Sequence, residues 1–158
     1  MKSILLISLF TLSLIASDDE GGNEFYVYGL SYHTNRDYDF HEINPGIGIG
    51  HYFKKNEIVE GTVQASVYMN SFGHISALAT CGPRAILGNR EKYNVALSLN
   101  FGYMASVDYL NMVIIPCIGF GYDRYIVNVV FIPGFREDPE TKQQSYVAAF
   151  AMNFGYKF

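Results

Sequence analysis

From Val95 to Tyr103 every second residue is large and apolar: Val95, Leu97, Leu99, Phe101 and Tyr103 alternate with Ala96, Ser98, Asn100 and Gly102. Side chains of a β-strand point to opposite faces at period two, so this stretch has one apolar wall and one small or polar wall. The pattern recurs. Val59, Val63, Val67 and Met69 alternate with Glu60, Thr62, Gln64 and Ser66, and near the end Phe150, Met152, Phe154, Tyr156 and Phe158 alternate with Ala149, Ala151, Asn153 and Gly155. Alternation of this kind specifies antiparallel sheet but leaves open which wall is inside. Charged residues make up 16% of the chain and hydrophobic ones 49%, yet after residue 17 no apolar run approaches the ~20 residues of a spanning helix. Few charges, abundant Tyr, Phe and Gly, and no spanning helix suit a β-barrel in lipid, and a soluble β-sandwich shares most of these features.

The pattern predicts eight strands, at about 24–34, 43–54, 57–70, 75–88, 92–105, 108–122, 125–133 and 145–158. Several exceed the 9–11 residues that a tilted strand needs to cross a bilayer, and the even count fits a bacterial barrel. The start of the chain points to export. Lys2, the run ILLISLFTLSLIA and the small pair Ala16-Ser17 form a charged, an apolar and a small-residue region, which reads as a signal peptide over 1–17. Cys81 and Cys117 fall on strands four and six, which are not neighbours, so they read as thiols rather than a bridge.

The end decides between lipid and water. FAMNFGYKF closes on Phe158 with aromatics at alternate positions before it, which resembles the C-terminal signature of outer-membrane barrels and implies recognition by the barrel-assembly machinery. The expectation is therefore an all-β, eight-stranded antiparallel transmembrane β-barrel of the outer-membrane type over residues 18–158. With both termini periplasmic, the connections at 34–42, 71–74, 106–107 and 134–144 face outward. Short turns lie at 54–56, 88–91 and near Asp123-Arg124, the usual asymmetry of such barrels. An interior filled by side chains, as in barrels of this size, argues against a pore.

No HExxH, CxxC, P-loop or GxSxG spacing is present, so neither metal nor cofactor is expected. Gly46, Gly48 and Gly50 alternate along a strand and read as a slim wall that something approaches closely. At the outer rim the topology gathers His33, Asn70, Ser71 and His74. A hydroxyl near an imidazole is the minimum for base-activated acyl transfer, and it is also what any polar loop holds by chance.

These residues resemble a known family, the lipid A palmitoyltransferases of the Gram-negative outer membrane. The resemblance is carried by PCIGFGYDRYIVNVVFIPG at 116–134, by SYH at 31–33, by NPGIGIG at 44–50 and by Asn70-Ser71. It implies transfer of palmitate from a phospholipid to lipid A, with His33, Asn70 and Ser71 in the positions of the catalytic His, Asp and Ser. It also implies a donor chain held inside the barrel and lateral lipid entry beside Pro116 and Pro133, where ladder hydrogen bonds are withheld; the same two prolines equally suit plain strand ends or kinks. The chain departs from the family in three ways: Asn70 replaces the aspartate, the first outer loop is shorter, and an amphipathic helix has no room before the first strand. Inward-facing Glu60, Thr62, Gln64, Asn94 and Asn100 further predict a polar plug rather than an acyl-chain slot. The alternative is a non-catalytic surface barrel whose loops bind lipopolysaccharide, a host molecule or a phage, or which serves structurally. Membrane lipids and the assembly machinery are the expected partners, with no nucleic acid and a monomeric state.

Overall fold

The computed structural model describes residues 21–35, 39–107, 110–133, 135–137, 144–146 and 148–158; the signal segment expected at 1–17 lies outside them. The strands are β1 (Gly21–His33), β2 (Ile43–Lys54), β3 (Val59–Met69), β4 (Ile75–Gly88), β5 (Tyr93–Ser106), β6 (Leu110–Tyr122), β7 (Tyr125–Ile132), β8 (Phe135–Glu137), β9 (Gln144–Tyr146) and β10 (Ala149–Lys157). Eight of them close a barrel in the order β1-β10-β7-β6-β5-β4-β3-β2, while β8 and β9 form a separate two-stranded sheet. All pairings are antiparallel. The eighth expected strand was drawn too long. It is divided here: residues 144–146 leave the wall to pair with 135–137, and the barrel resumes at Ala149.

The registers also give the stagger. From Leu110 of β6 the ladders run through Ala105, Ala77, Val67, Ile47, Val27, Phe154 and Val127, and return to β6 at Phe120. That return is ten residues from the start. A stagger of this size requires strongly tilted strands, about 35–45° from the barrel axis.

The question the alternation left open has a clear answer. Phe25, Val27, Val67, Phe101, Ile118 and Phe154 are exposed on the outer wall, whereas Glu24, Glu60, Asn94, Asn100, Asn128 and Asn153 are buried inside. A folded chain with its apolar side chains outward and its polar ones inward is arranged for lipid. This is a transmembrane barrel of the bacterial outer-membrane type.

Two local devices hold the wall. At the turn end, the side-chain oxygen of Asn56 accepts the N–H groups of Ile58 (2.9 Å) and Val59 (2.7 Å), fixing the β2–β3 turn. Within β2, Gly48 and Gly50 admit aromatic rings from β1. A Cβ at Gly48 would meet the Tyr28 ring at 3.3 Å, and one at Gly50 the Tyr26 ring at 3.1 Å. The slim wall expected at this strand is thus filled by tyrosines.

Candidate functional site

Between the turn end and the loop end the interior changes character. Near the turns, Arg84 of β4 crosses the lumen to Glu24 of β1 with two parallel bonds of 2.9 Å, and its Nε donates to Glu60 of β3. Arg90, in the β4–β5 turn, donates to the other oxygen of Glu60 and to the carbonyls of Glu57 (3.0 Å) and Asn56 (3.3 Å). The Tyr26 hydroxyl also donates to Glu24, and the Tyr52 ring lies 5.5 Å from the guanidinium of Arg84. Both carboxylates are fully enclosed. Bidentate arginine pairing is the geometry that makes such burial tolerable. Beside this network, Ile86, Ala96 and Ile126 fill the rest of the floor.

Above it lies a cavity of about 40 Å³, lined by Arg84 and Tyr26 below and by Leu78, Ile115 and Val130 above. Cys117 and Ser98 line its side. Both cysteines are free, Cys117 half-buried and Cys81 exposed on the outer wall. Towards the loops, Leu78, Met104 and Ile115 make an apolar layer with Tyr68, Val113, Val130 and Ile132 against it.

The rim carries the residues singled out from the sequence. Asn70, at the end of β3, is buried and has both amide atoms engaged. Its Nδ2 donates to Ser76 Oγ (3.0 Å) and Ser106 Oγ (3.2 Å), and its Oδ1 accepts the N–H groups of Phe72 (2.9 Å) and His74 (3.0 Å). Ser71 Oγ accepts from Asn44 Nδ2 at 3.4 Å, and the Ser71 carbonyl accepts the His41 N–H at 2.9 Å. His33, at the end of β1, is buried with its ring stacked on Phe40 at 4.1 Å. Phe40 in turn meets Phe72 edge-on at 5.5 Å. His33 and the 70–71 pair therefore lie at the same end of the barrel, linked through two phenylalanine rings.

The two prolines fall at a change in the wall. Pro116 pairs with Leu99 of β5, but the β6–β7 ladder ends one residue away, at Cys117 opposite Val130. Pro133 follows the last residue of β7. Above this point, among the described residues, β7 continues against β10. Among the described residues, no cluster of three or more His, Cys, Asp or Glu side chains is arranged to hold a metal.

Sequence reasoning turned Glu60 inward but missed its partners. Glu24 only opens the first expected strand, with no face assigned to it, and Arg84 is not singled out, although its alternation within β4 shares the inward face with Leu78 and Thr80. A charged residue on the small-or-polar face of a predicted strand was the available signal.

No protein-family profile matches this chain, and neither does any curated protein. Solved structures do. The attachment invasion locus protein of Yersinia pestis, Ail, superposes with a TM-score of 0.53 at 12% identity, over 89% of this chain and 99% of that one. A de novo designed transmembrane β-barrel gives 0.47 at 11% identity over 87% of this chain and 95% of its own. Neisserial surface protein A gives 0.36 at 13% identity over 87% and 96%. The likeness to Ail establishes a shared fold, and it does not extend to the finer resemblance to lipid A palmitoyltransferases.

Proposed function

We propose that this protein is a non-catalytic surface barrel of the bacterial outer membrane, with its rim and loops as the binding surface. The observation that carries this reading is the engagement of Asn70. Acyl transfer of the kind the sequence resembles needs a group that orients the histidine and stabilises its charged form. Asn70 brings no charge, and its amide is spent on Ser76, Ser106 and the backbone of the β3–β4 turn. The Ser71 hydroxyl is bonded to Asn44. The interior adds support, since a cavity of about 40 Å³ is far below the ~300 Å³ at which small-ligand sites begin. Attachment is in the name of the Yersinia pestis protein that shares this fold, and surface recognition by loops is the kind of work we assign here. Membrane lipids and the assembly machinery remain the partners this reading requires.

One observation favours the enzyme instead. The described ladder between β6 and β7 stops beside Pro116, next to the apolar layer of Leu78 and Ile115. A phospholipid chain entering there would approach the rim from the side. Mass spectrometry of lipid A from cells expressing the protein separates the readings. An unchanged lipid A profile with correctly inserted barrel is the expected result; a gain of one acyl chain, lost in His33→Ala, overturns the proposal. If Asn70→Asp gains transfer that the native chain lacks, the barrel is an enzyme that has lost its acid.

A further inference from the structure

At the turn end, four neighbouring strands each carry an outward tyrosine. Tyr93 is the first residue of β5, Tyr122 the last of β6, Tyr125 the first of β7 and Tyr156 the last but one of β10. Each pairs with the next across the ladder, Tyr93 with Tyr122, Tyr122 with Tyr125 and Tyr125 with Tyr156. The rings therefore form one row, with centroids 4.8 Å apart for Tyr93 and Tyr122 and 5.4 Å for Tyr125 and Tyr156. The first three are exposed at 76%, 53% and 47%. Exposure on this wall is contact with lipid, and a tyrosine there has a ring suited to hydrocarbon and a hydroxyl suited to the headgroups. The turn ends of β2, β3 and β4 place Phe53, Val59 and Leu87 on that wall instead, so the row of phenols is confined to one side of the barrel.

The charged residues beside the row come in two pairs of opposite sign. Glu91 and Lys92 lie in the turn before Tyr93, and Asp123 and Arg124 form the turn between Tyr122 and Tyr125; all four are exposed. The Asp123 N–H donates to the Lys92 carbonyl at 3.2 Å, so the two turns touch. The Arg124 guanidinium donates to the Tyr156 hydroxyl and also feels the Asp123 carboxylate. We propose that this side of the turn end seats the headgroup of one phospholipid, a phosphoethanolamine, from the leaflet there. Lys92, Arg124 and the phenols supply donors for its phosphate, and Asp123 and Glu91 accept from its ammonium. An anionic headgroup would set its charge against the two carboxylates, and a choline headgroup has no N–H to offer them. The acyl chains then lie against Phe120 and Phe154, the next outward residues along β6 and β10. The site is independent of what the loops bind.

Native mass spectrometry of the whole barrel tests this. The barrel is released from micelles holding equal amounts of phosphatidylethanolamine, phosphatidylglycerol and phosphatidylcholine with the same acyl chains. The expected spectrum shows a one-lipid adduct in which phosphatidylethanolamine exceeds each of the other two several-fold. Lys92→Ala combined with Arg124→Ala should abolish that adduct, while Lys55→Ala at the β2–β3 turn should leave it unchanged. Asp123→Asn combined with Glu91→Gln should keep a lipid bound but lose the preference for ethanolamine, since asparagine tolerates the left-handed backbone of Asp123 (φ 52°) as aspartate does. Each variant is shown to be folded by its heat-dependent mobility. Retention of the three lipids in equal amounts, a preference for phosphatidylglycerol, or an adduct that survives the loss of Lys92 and Arg124 overturns the proposal. So does a preference for ethanolamine that is unchanged without the two carboxylates.

Discussion

In the half of the barrel next to the turns, Arg84 ties β4 to β1 and β3 through enclosed charge pairs. In the half next to the loops, Leu78, Met104 and Ile115 form an apolar layer, and among the described residues the β6–β7 ladder stops beside it. Both halves belong to the same tilted sheet, but they are held differently. The charged half is directional: each guanidinium bond demands a particular register, and a slip of one residue would strand two carboxylates in the lumen. The apolar half tolerates small movements, because dispersion contacts have no preferred angle. Rigidity at the floor and latitude near the rim would suit the loop recognition proposed above.

Substitutions can break or sharpen this contrast. Arg84→Met should have the largest effect, leaving Glu24 and Glu60 buried without their main partner at a loss of about 3–5 kcal/mol. Urea unfolding in vesicles reads this, and a loss below about 1 kcal/mol would remove the special standing of the floor. Leu78→Ala should cost about 2–3 kcal/mol by enlarging the cavity beneath it, without changing the register of any strand. Asn70→Ala should cost about 1–2 kcal/mol, and hydrogen exchange should rise at the β3–β4 turn rather than in the floor. Phe40→Ala should be smallest, about 0.5–1.5 kcal/mol from the lost stacking on His33, with faster exchange confined to the rim. Equal protection loss in both halves for any of the last three would contradict the division.

Much of this was legible in the residues. Alternation located the strands to within a few positions, because a period of two survives any tertiary arrangement. The exception is the last strand, where residues 144–146 continue a β-like pattern that the wall does not use. Alternation also turned Glu60, Asn94 and Asn100 inward, since a face is a local property. What it could not give was level. Glu24 and Arg84 meet across the lumen from strands that are not neighbours, and their heights match only because of the stagger. The rim divided in the same way. Topology brought His33 and Asn70 to one end, but the partners of the Asn70 amide include Ser106, two strands away. No motif at 70–71 announces that bond.

Closure of the barrel has a consequence in time. Asn23 and Phe158 exchange backbone hydrogen bonds of 3.2 and 3.0 Å, and β1 pairs along its length with β10. These partners lie more than a hundred residues apart in sequence, the kind of contact that forms late because a long loop must be closed first. Until β10 is made and delivered, β1 keeps one open edge and the belt of Phe25, Val27 and Leu30 has no bilayer around it. Such a chain is prone to aggregate while it waits. The wait ends only when the first and last strands find each other and the open edge is gone.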